Sequence, residues 1–430
     1  MQILLHLSVA LFMGLILSRL AKVLKLPAVT AYLVAGILVG PYVLGAIDLP
    51  FLNFDLGFAS MADVKGYTLF SNVALGFIAF SIGNEFRWSQ LKTIGKQATV
   101  IGIFQAVITT LLVDAILIGV HFAMPDKLSL PAAIVLGAVA AATAPAATLM
   151  VVRQYKAKGP LTNLLLPIVA LDDAVGLVLF AISFGIAQAL TTEVSLLSIL
   201  LEPILEVVLS LLLGLLMGLL FTFFERFFHS RSKRLSMSVT FVLLTVALSM
   251  IDFHIGSVHV KFSSLLVCMM LGTVFCNACD WSEELMDRID RWTAPLFILF
   301  FVLSGAELEL SVFADWAIVL IGVIYILARS AGKYSGAYLS AQAVHCDKQI
   351  VRYLGITLLP QAGVALGMAI QAQKLGADGA IVAQITLFAV LIYELVGPLL
   401  TKISLTKAGE IVPEGKTSAR SRFKDHGHIT

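Results

Sequence analysis

Asp172 and Asp173 are adjacent carboxylates near the middle of the apolar run 163–190. About 20 apolar residues span a bilayer, so this run can cross one with tilt. An Asp at the centre of a membrane helix costs roughly 2.5–3.5 kcal/mol on the insertion scale. Two ionised neighbours also repel each other. Ionisable groups kept at such a cost usually mark ion or proton paths. Successive helical residues point about 100° apart at 3.6 residues per turn. The two acids therefore meet different neighbours, and one can bind a cation while the other pairs with a base.

The bases lie in the run 315–342, where Arg329 and Lys333 are four apart and share a helix face. Buried cations need an acidic partner, and either Asp172 or Asp173 suits. The alternative is that both bases snorkel to an interface, which is easier for Lys333. Two prolines complete the set. Pro145 follows Thr143 in Ala142–Thr148, and Pro360 precedes Gln361 and Gly363 in Leu358–Gly367. A proline removes a helical N–H, which frees the carbonyls of Ala141 and Ile356. Freed carbonyls and the Thr143 hydroxyl are hard oxygen ligands suited to a small cation. The structural alternative is two tolerated kinks.

The elements that must position these groups follow from composition. Of 430 residues, 59% are hydrophobic and 13% charged. Soluble domains carry about 25% charged residues, so the chain reads as an all-α polytopic membrane protein. Thirteen apolar runs fall at 2–20, 29–46, 68–85, 98–123, 130–152, 163–190, 196–228, 235–253, 262–278, 292–310, 315–342, 349–373 and 378–402. Runs one to six and eight to thirteen can form two six-helix repeats joined by run seven. The first repeat starts outside and the second inside, so the two are inverted. Inverted-repeat transporters place broken helices at corresponding positions around a midplane site. Pro145 in run five and Pro360 in run twelve meet that condition.

The net charge of +2 is uninformative, but the distribution of charge is not. Of the 29 Lys and Arg residues, 23 fall on the inner side of a topology with the N-terminus outside, and four on the outer side. The positive-inside rule then puts the C-terminus in the cytoplasm. No positive charge precedes the first run and no small-residue cleavage site closes it, so it reads as a spanning helix rather than a signal. Residues 406–430 form a short polar tail with Lys407, Lys416, Arg420, Arg422 and Lys424. Cys276 and Cys279 have metal-ligand spacing but no second pair nearby, and the four cysteines do not suggest a disulfide framework.

In this order, several stretches resemble the monovalent cation:proton antiporters, the branch of bacterial sodium/proton and Kef-type potassium/proton exchangers. They are Leu26-Pro27, Ala35–Pro41, Thr143–Thr148, Arg153 through Lys158–Thr162, Ala170–Asp173, Arg329–Gly336 and Tyr393–Pro398. The resemblance covers about residues 1–405. It implies that Asp173 is the essential cation and proton site, that Asp172 pairs with the base of run eleven, and that Thr143 lies where unwound helices cross. Family members use either Lys or Arg as that base, and this chain offers both. Two acids resemble the electrogenic members, whereas an Asn in place of the first accompanies electroneutral exchange.

By resemblance, runs one to three and eight to ten (about 1–90 and 235–310) form a scaffold that makes a homodimer. Runs four to six and eleven to thirteen (about 97–190 and 315–402) form the moving ion-transport core, with run seven (about 196–228) as linker. The expected activity is exchange of Na⁺, Li⁺ or K⁺ for protons across a bacterial-type plasma membrane, by competition at one carboxylate. The partner is the lipid bilayer; no cofactor, nucleic acid or regulatory nucleotide-binding domain is expected. Glu394 reads as a packing carboxylate or a partner of run eleven, and Asp114 as interfacial. An intramembrane aspartyl protease needs acids from separate helices sharing a proton, which adjacent, diverging acids do not provide. A sodium-coupled symporter of organic anions on the same fold is the nearer alternative.

Overall fold

A computed structural model describes residues 2–24, 26–47, 57–84, 86–191, 196–228, 230–251, 253–255, 258–279, 282–308 and 315–411. Most of the polar tail lies outside the described residues, with Lys416, Arg420, Arg422 and Lys424.

The helices are α1 (Gln2–Val23), α2 (Ala28–Val39), α3 (Met61–Lys65), α4 (Thr68–Gly83), α5 (Trp88–Ala123), α6 (Leu130–Val139), α7 (Pro145–Gln154) and α8 (Pro160–Thr191). They continue with α9 (Leu196–Glu225), α10 (Arg231–Ser249), α11 (Ser264–Ala278), α12 (Ser282–Ala306), α13 (Trp316–Ala343), α14 (Lys348–Thr357), α15 (Gly363–Ala372) and α16 (Ala377–Lys407). Every apolar run falls on one of these helices or on a pair, and α3 is additional. Among the described residues, six helices are long and apolar enough to cross a membrane, including α1, α13 and α16.

The differences from the sequence reading are local. The second run stops as a helix at Val39, because Gly40 and Pro41 follow and proline cannot donate the next helical bond. Helix α12 begins at Ser282, well before the apolar run at 292, because a polar first part winds as helix without reading as membrane. A two-stranded hairpin, β1 (Phe253–Ile255) and β2 (Val258–Val260), sits at the end of the eighth run; it pairs antiparallel with Phe253 opposite Val260.

The buried apolar side chains divide into distinct clusters. One joins α4, α9, α11 and α12 through Phe77, Phe80, Phe221, Phe275 and Val302. Its centre is an aromatic stack, with the Phe221 and Phe275 ring centroids 4.4 Å apart. Another joins α5, α6, α8, α13 and α16 through Val113, Leu136, Phe180, Tyr325 and Val390. Ala144, Ala146, Ala147, Leu166 and Ala170 extend from the second bundle into the first cluster, so a row of small side chains lines the seam between the bundles.

Two helical paths are interrupted. The chain leaves α6 after Val139 and resumes as α7 at Pro145; it leaves α14 after Thr357 and resumes as α15 at Gly363. Pro145 occupies the first position of α7, where its missing N–H costs nothing. The two breaks touch: the Ala144 amide donates to the Pro360 carbonyl at 2.8 Å. Unbroken α8 passes beside them. Its first turn is capped from the far end of the chain, where the Glu410 carboxylate accepts from the Leu161 and Thr162 amides at 2.6 and 2.8 Å and from the Thr162 hydroxyl at 2.6 Å.

Candidate functional site

Asp172 and Asp173 lie midway along α8 and are 0% and 1% exposed. Asp172 is saturated with donors. Its Oδ2 accepts from the Lys333 ammonium at 2.8 Å and from the Thr143 hydroxyl at 2.5 Å. Its Oδ1 accepts from the side-chain amide of Gln105. Lys333 is fully buried and places its three N–H donors on Asp172, on the Ala141 carbonyl at 2.5 Å and on the Thr143 oxygen at 2.9 Å. The ion pair is thus hydrogen-bonded on all sides, which is the condition for a buried pair to be tolerated.

Lys333 reaches this position because α13 packs closely on α5. A Cβ added to Gly332 would lie 2.9 Å from Thr109 Cα, and one added to Gly336 would lie 2.9 Å from Gln105 Cα. Only small residues permit such an approach between membrane helices.

Arg329, one turn away, has another task. Its Nε donates to the Ala140 carbonyl at 2.9 Å, Nη1 to Leu359 at 2.7 Å and Nη2 to Ala142 at 2.6 Å. The guanidinium also lies 4.4 Å from the centre of the Tyr393 ring. It therefore clamps both breaks together at the carbonyl ends of α6 and α14, where the helix dipole favours positive charge. Gln361 assists: its amide nitrogen donates to the Val139 carbonyl at 2.9 Å and approaches the Tyr325 hydroxyl at 3.1 Å.

This arrangement alters the ligand shell expected from the sequence. The carbonyl freed by Pro145, that of Ala141, carries Lys333. The carbonyl freed by Pro360, that of Ile356, accepts from the Leu359 amide at 3.4 Å. Helix ends left bare inside a membrane protein recruit whatever donors are near, and the bases of α13 are the nearest. Thr143 likewise directs its hydroxyl to Asp172.

Asp173 is the exception. Neither of its carboxylate oxygens has a hydrogen-bond partner among the described residues. It shares an α8 face with Leu166 and Ala170, which pack into the seam with Phe77 and Phe80. An ionised carboxylate in such a place costs several kcal/mol unless it is paired. A proton or a small cation would supply that pairing. Among the described residues no group of three or more His, Cys, Asp or Glu side chains is placed to hold a resident metal ion.

The structure brings together Asp172, Thr143, Lys333, Arg329, Pro360 and Gln361 around the two breaks, with Pro145 and Gly363 opening the helices beyond them. Glu394 does not join the bases of α13: its sequence neighbour Tyr393 takes that side, with its hydroxyl 2.8 Å from Ser330 Oγ. Sequence reasoning missed Gln105. Its signal was a lone amide in the apolar run 98–123, but only the α5–α13 packing shows which acid it meets.

Comparison with known proteins extends the geometry. The family described as sodium/hydrogen exchanger, transmembrane, matches residues 7–407. The Na(+)/H(+) antiporter NhaS4 of Synechocystis is 24% identical over 414 residues, covering 94% of this chain and 96% of its own. Two structures of the sodium proton antiporter MjNhaP1 from Methanocaldococcus jannaschii share the fold. One, at pH 8, has a TM-score of 0.67 at 19% identity, covering 96% of this chain and 100% of its own. The other, an electron-microscopy structure, has a TM-score of 0.70 at 18% identity, covering 99% and 97%.

Proposed function

The chain belongs to the transmembrane sodium/hydrogen exchanger family, and we propose that it exchanges a monovalent cation (Na⁺, Li⁺ or K⁺) for protons at Asp173. The observation that carries this reading is the buried Asp173 carboxylate with no hydrogen-bond partner among the described residues, beside an Asp172 that is fully engaged. At low proton activity Asp173 holds the dehydrated cation. At high proton activity a proton takes the carboxylate and the cation leaves. One negative charge is satisfied in either state, so the site crosses the low-dielectric interior occupied and never bare.

Asp172 keeps Lys333 in place while this happens. A buried lysine can release its proton, whereas an arginine cannot near neutral pH. The base in the ion pair is Lys333, and Arg329 is engaged by carbonyls. That division supports an electrogenic cycle in which Lys333 gives up a proton when the Asp172 contact opens. Both bases are engaged within the protein, which favours the antiporter reading over binding of an organic anion.

The two Pro-marked breaks and their Ala144–Pro360 bond support inverted repeats around this site. The bundle of α5–α8 and α13–α16 moves against the bundle of α1, α2, α4 and α10–α12, which forms the homodimer, with α9 as linker. The lysine and arginine distribution supports an N-terminus outside and a C-terminus in the cytoplasm.

Proteoliposomes loaded with a pH-sensitive dye test the proposal. Adding NaCl, LiCl or KCl should collapse a preset proton gradient for at least one cation, and Asp173→Asn should abolish that response in correctly folded protein. Competition also fixes a pH dependence. The apparent KM for the cation should rise as pH falls, approaching about tenfold per pH unit for one competing proton. Undiminished flux in Asp173→Asn, or a KM independent of pH, would overturn the assignment.

A further inference from the structure

Asp114 on α5 is a carboxylate that the exchange steps above do not use. It is the only charged residue of α5 between Lys96 and His121. Gln105, which holds Asp172, lies nine residues before it, and Ala123, the end of α5, nine residues after it. At 1.5 Å per residue each interval is about 13 Å. Asp114 therefore lies between the level of Asp172 and the end of the helix, in the half of the bundle that the charge distribution assigns to the outside. Its carboxylate is fitted to α6. A Cβ added at Gly137 would coincide with Asp114 Oδ1 and would lie 3.1 Å from the Thr110 carbonyl. The carboxylate thus fills the place of a side chain at Gly137, and Oδ1 is sealed from solvent with no hydrogen-bond partner among the described residues. The residue as a whole is only half-buried, so a proton can reach it. Thr110, one turn away on the same face, is 5% exposed, and its hydroxyl also has no partner among the described residues.

The helices packed on α5 offer it no countercharge. Helix α6 carries no charged residue, and α8 carries none from Ala174 to Thr191. In the first half of α13 the titratable groups are Tyr325, which meets Gln361, and Arg329, whose donors are on carbonyls. At the end of α5, His121 Nδ1 lies 2.8 Å from the Leu128 carbonyl, and Asp126 and Lys127 are in the turn beyond. An ionised carboxylate drawn out of water with neither donor nor countercharge is costly. A proton removes the charge and gives the group an O–H donor.

We propose that Asp114 is a second proton-binding site of the transport bundle, loaded from the outer solution and held in the crevice between α5 and α6. Its effect on exchange rests on the antiporter reading above. The carboxylate takes one proton from outer water and becomes a neutral acid; no other bond changes. Gly137 lies in the last turn of α6, and the carbonyls that follow, from Val139 to Ala142, hold Gln361, Arg329 and Lys333. A charge on Asp114 loosens the fit of α5 on α6 and a proton restores it, so outer pH sets how firmly the crossing of the broken helices is held. An aspartate serving only to fill space could be replaced by Asn, which has the same shape and no exchangeable proton.

The experiment joins infrared difference spectroscopy of the full chain in lipid, titrated with pH, to exchange in oriented vesicles with outer pH varied at fixed inner pH. In wild type a carboxylic-acid C=O band should grow as pH falls. Asp114→Asn should remove that band, Asp173→Asn should leave it, and Gly137→Ala, which displaces the carboxylate toward water, should move its midpoint to lower pH. In the flux arm Asp114→Asn should make the rate several-fold less sensitive to outer pH, with the dependence on inner pH retained. If Asp114→Asn fails to fold, Gly137→Ala carries the test through its shifted midpoint. An Asp114→Asn protein with the wild-type spectrum and the wild-type outer-pH profile, in vesicles where Asp173→Asn has lost exchange, would overturn the second site and leave the antiporter reading intact. Absence of exchange in wild type would instead overturn that reading, and the infrared band would still decide whether Asp114 takes the proton.

Discussion

Asp172 and Asp173 have the same side chain and adjacent places on one helix, yet opposite surroundings. Asp172 receives Lys333, Thr143 and Gln105, and Asp173 receives no protein donor among the described residues. Removing a donor from a buried acceptor costs about 1–3 kcal/mol. Gln105→Leu should accordingly lower thermal stability and weaken cation-dependent exchange without abolishing it, as read by fluorescence melting and dye-loaded vesicles. Lys333→Gln should reduce the charge moved per cycle, so that an imposed membrane voltage no longer drives exchange; an unchanged voltage response would exclude Lys333 as a proton carrier. The acid pair was legible from the sequence because two carboxylates in an apolar run are too costly to keep without a use. The choice between Arg329 and Lys333 was not, because four residues of helical spacing put both on one face. Their different heights along α13 decide it: Lys333 reaches Asp172, and Arg329 reaches the carbonyl ends of α6 and α14.

The broken helices were legible because proline is a strong local signal. What the breaks do was less so. Freed carbonyls suggested a cation shell, but Arg329, Lys333 and Gln361 occupy carbonyls from Val139 to Ala142 and that of Leu359. Sequence alone shows which donors are lost, and only packing shows which replace them. The α5–α13 seam has the same character, since Gly332 and Gly336 are ordinary membrane-helix glycines until α5 is placed against them. Gly336→Val should push the helices apart at Gln105. Overpacking of this kind typically costs about 1–3 kcal/mol, and here it should also separate Lys333 from Asp172. The expected outcome is a lower melting temperature with a disproportionate loss of exchange.

The two bundles meet over small side chains with a few polar ties between them. At one end the Ala28 amide donates to the Gln154 side chain at 2.8 Å, and the Tyr155 hydroxyl donates to the Leu26 carbonyl at 3.2 Å. Elsewhere Lys261, just before α11, lies 3.2 Å from Glu206 of α9 and 3.5 Å from Gln371 of α15. The relative movement of the bundles proposed above would break such ties. Lys261 is partly exposed, so its ion pair contributes less than about 1 kcal/mol. Lys261→Gln should change turnover modestly at low ionic strength and hardly at all at high salt, where the pair is screened. The all-α membrane class and the positions of the helices were open to sequence reasoning; these ties were not, because they join residues far apart in the chain.

The Glu410 cap has a consequence for biosynthesis. The helix that bears both acids begins at Pro160, but the carboxylate that closes its first turn lies 249 residues beyond Leu161. A nascent chain can insert α8 early, yet the two amide donors must wait for that carboxylate until α16 and the residues just after it have been made. Completion of the helix that bears both acids is thereby coupled to synthesis of the segment that follows α16. A chain cut after Lys407 should still insert its helices but accumulate poorly, with the start of α8 more open to proteolysis than in a chain that retains Glu410.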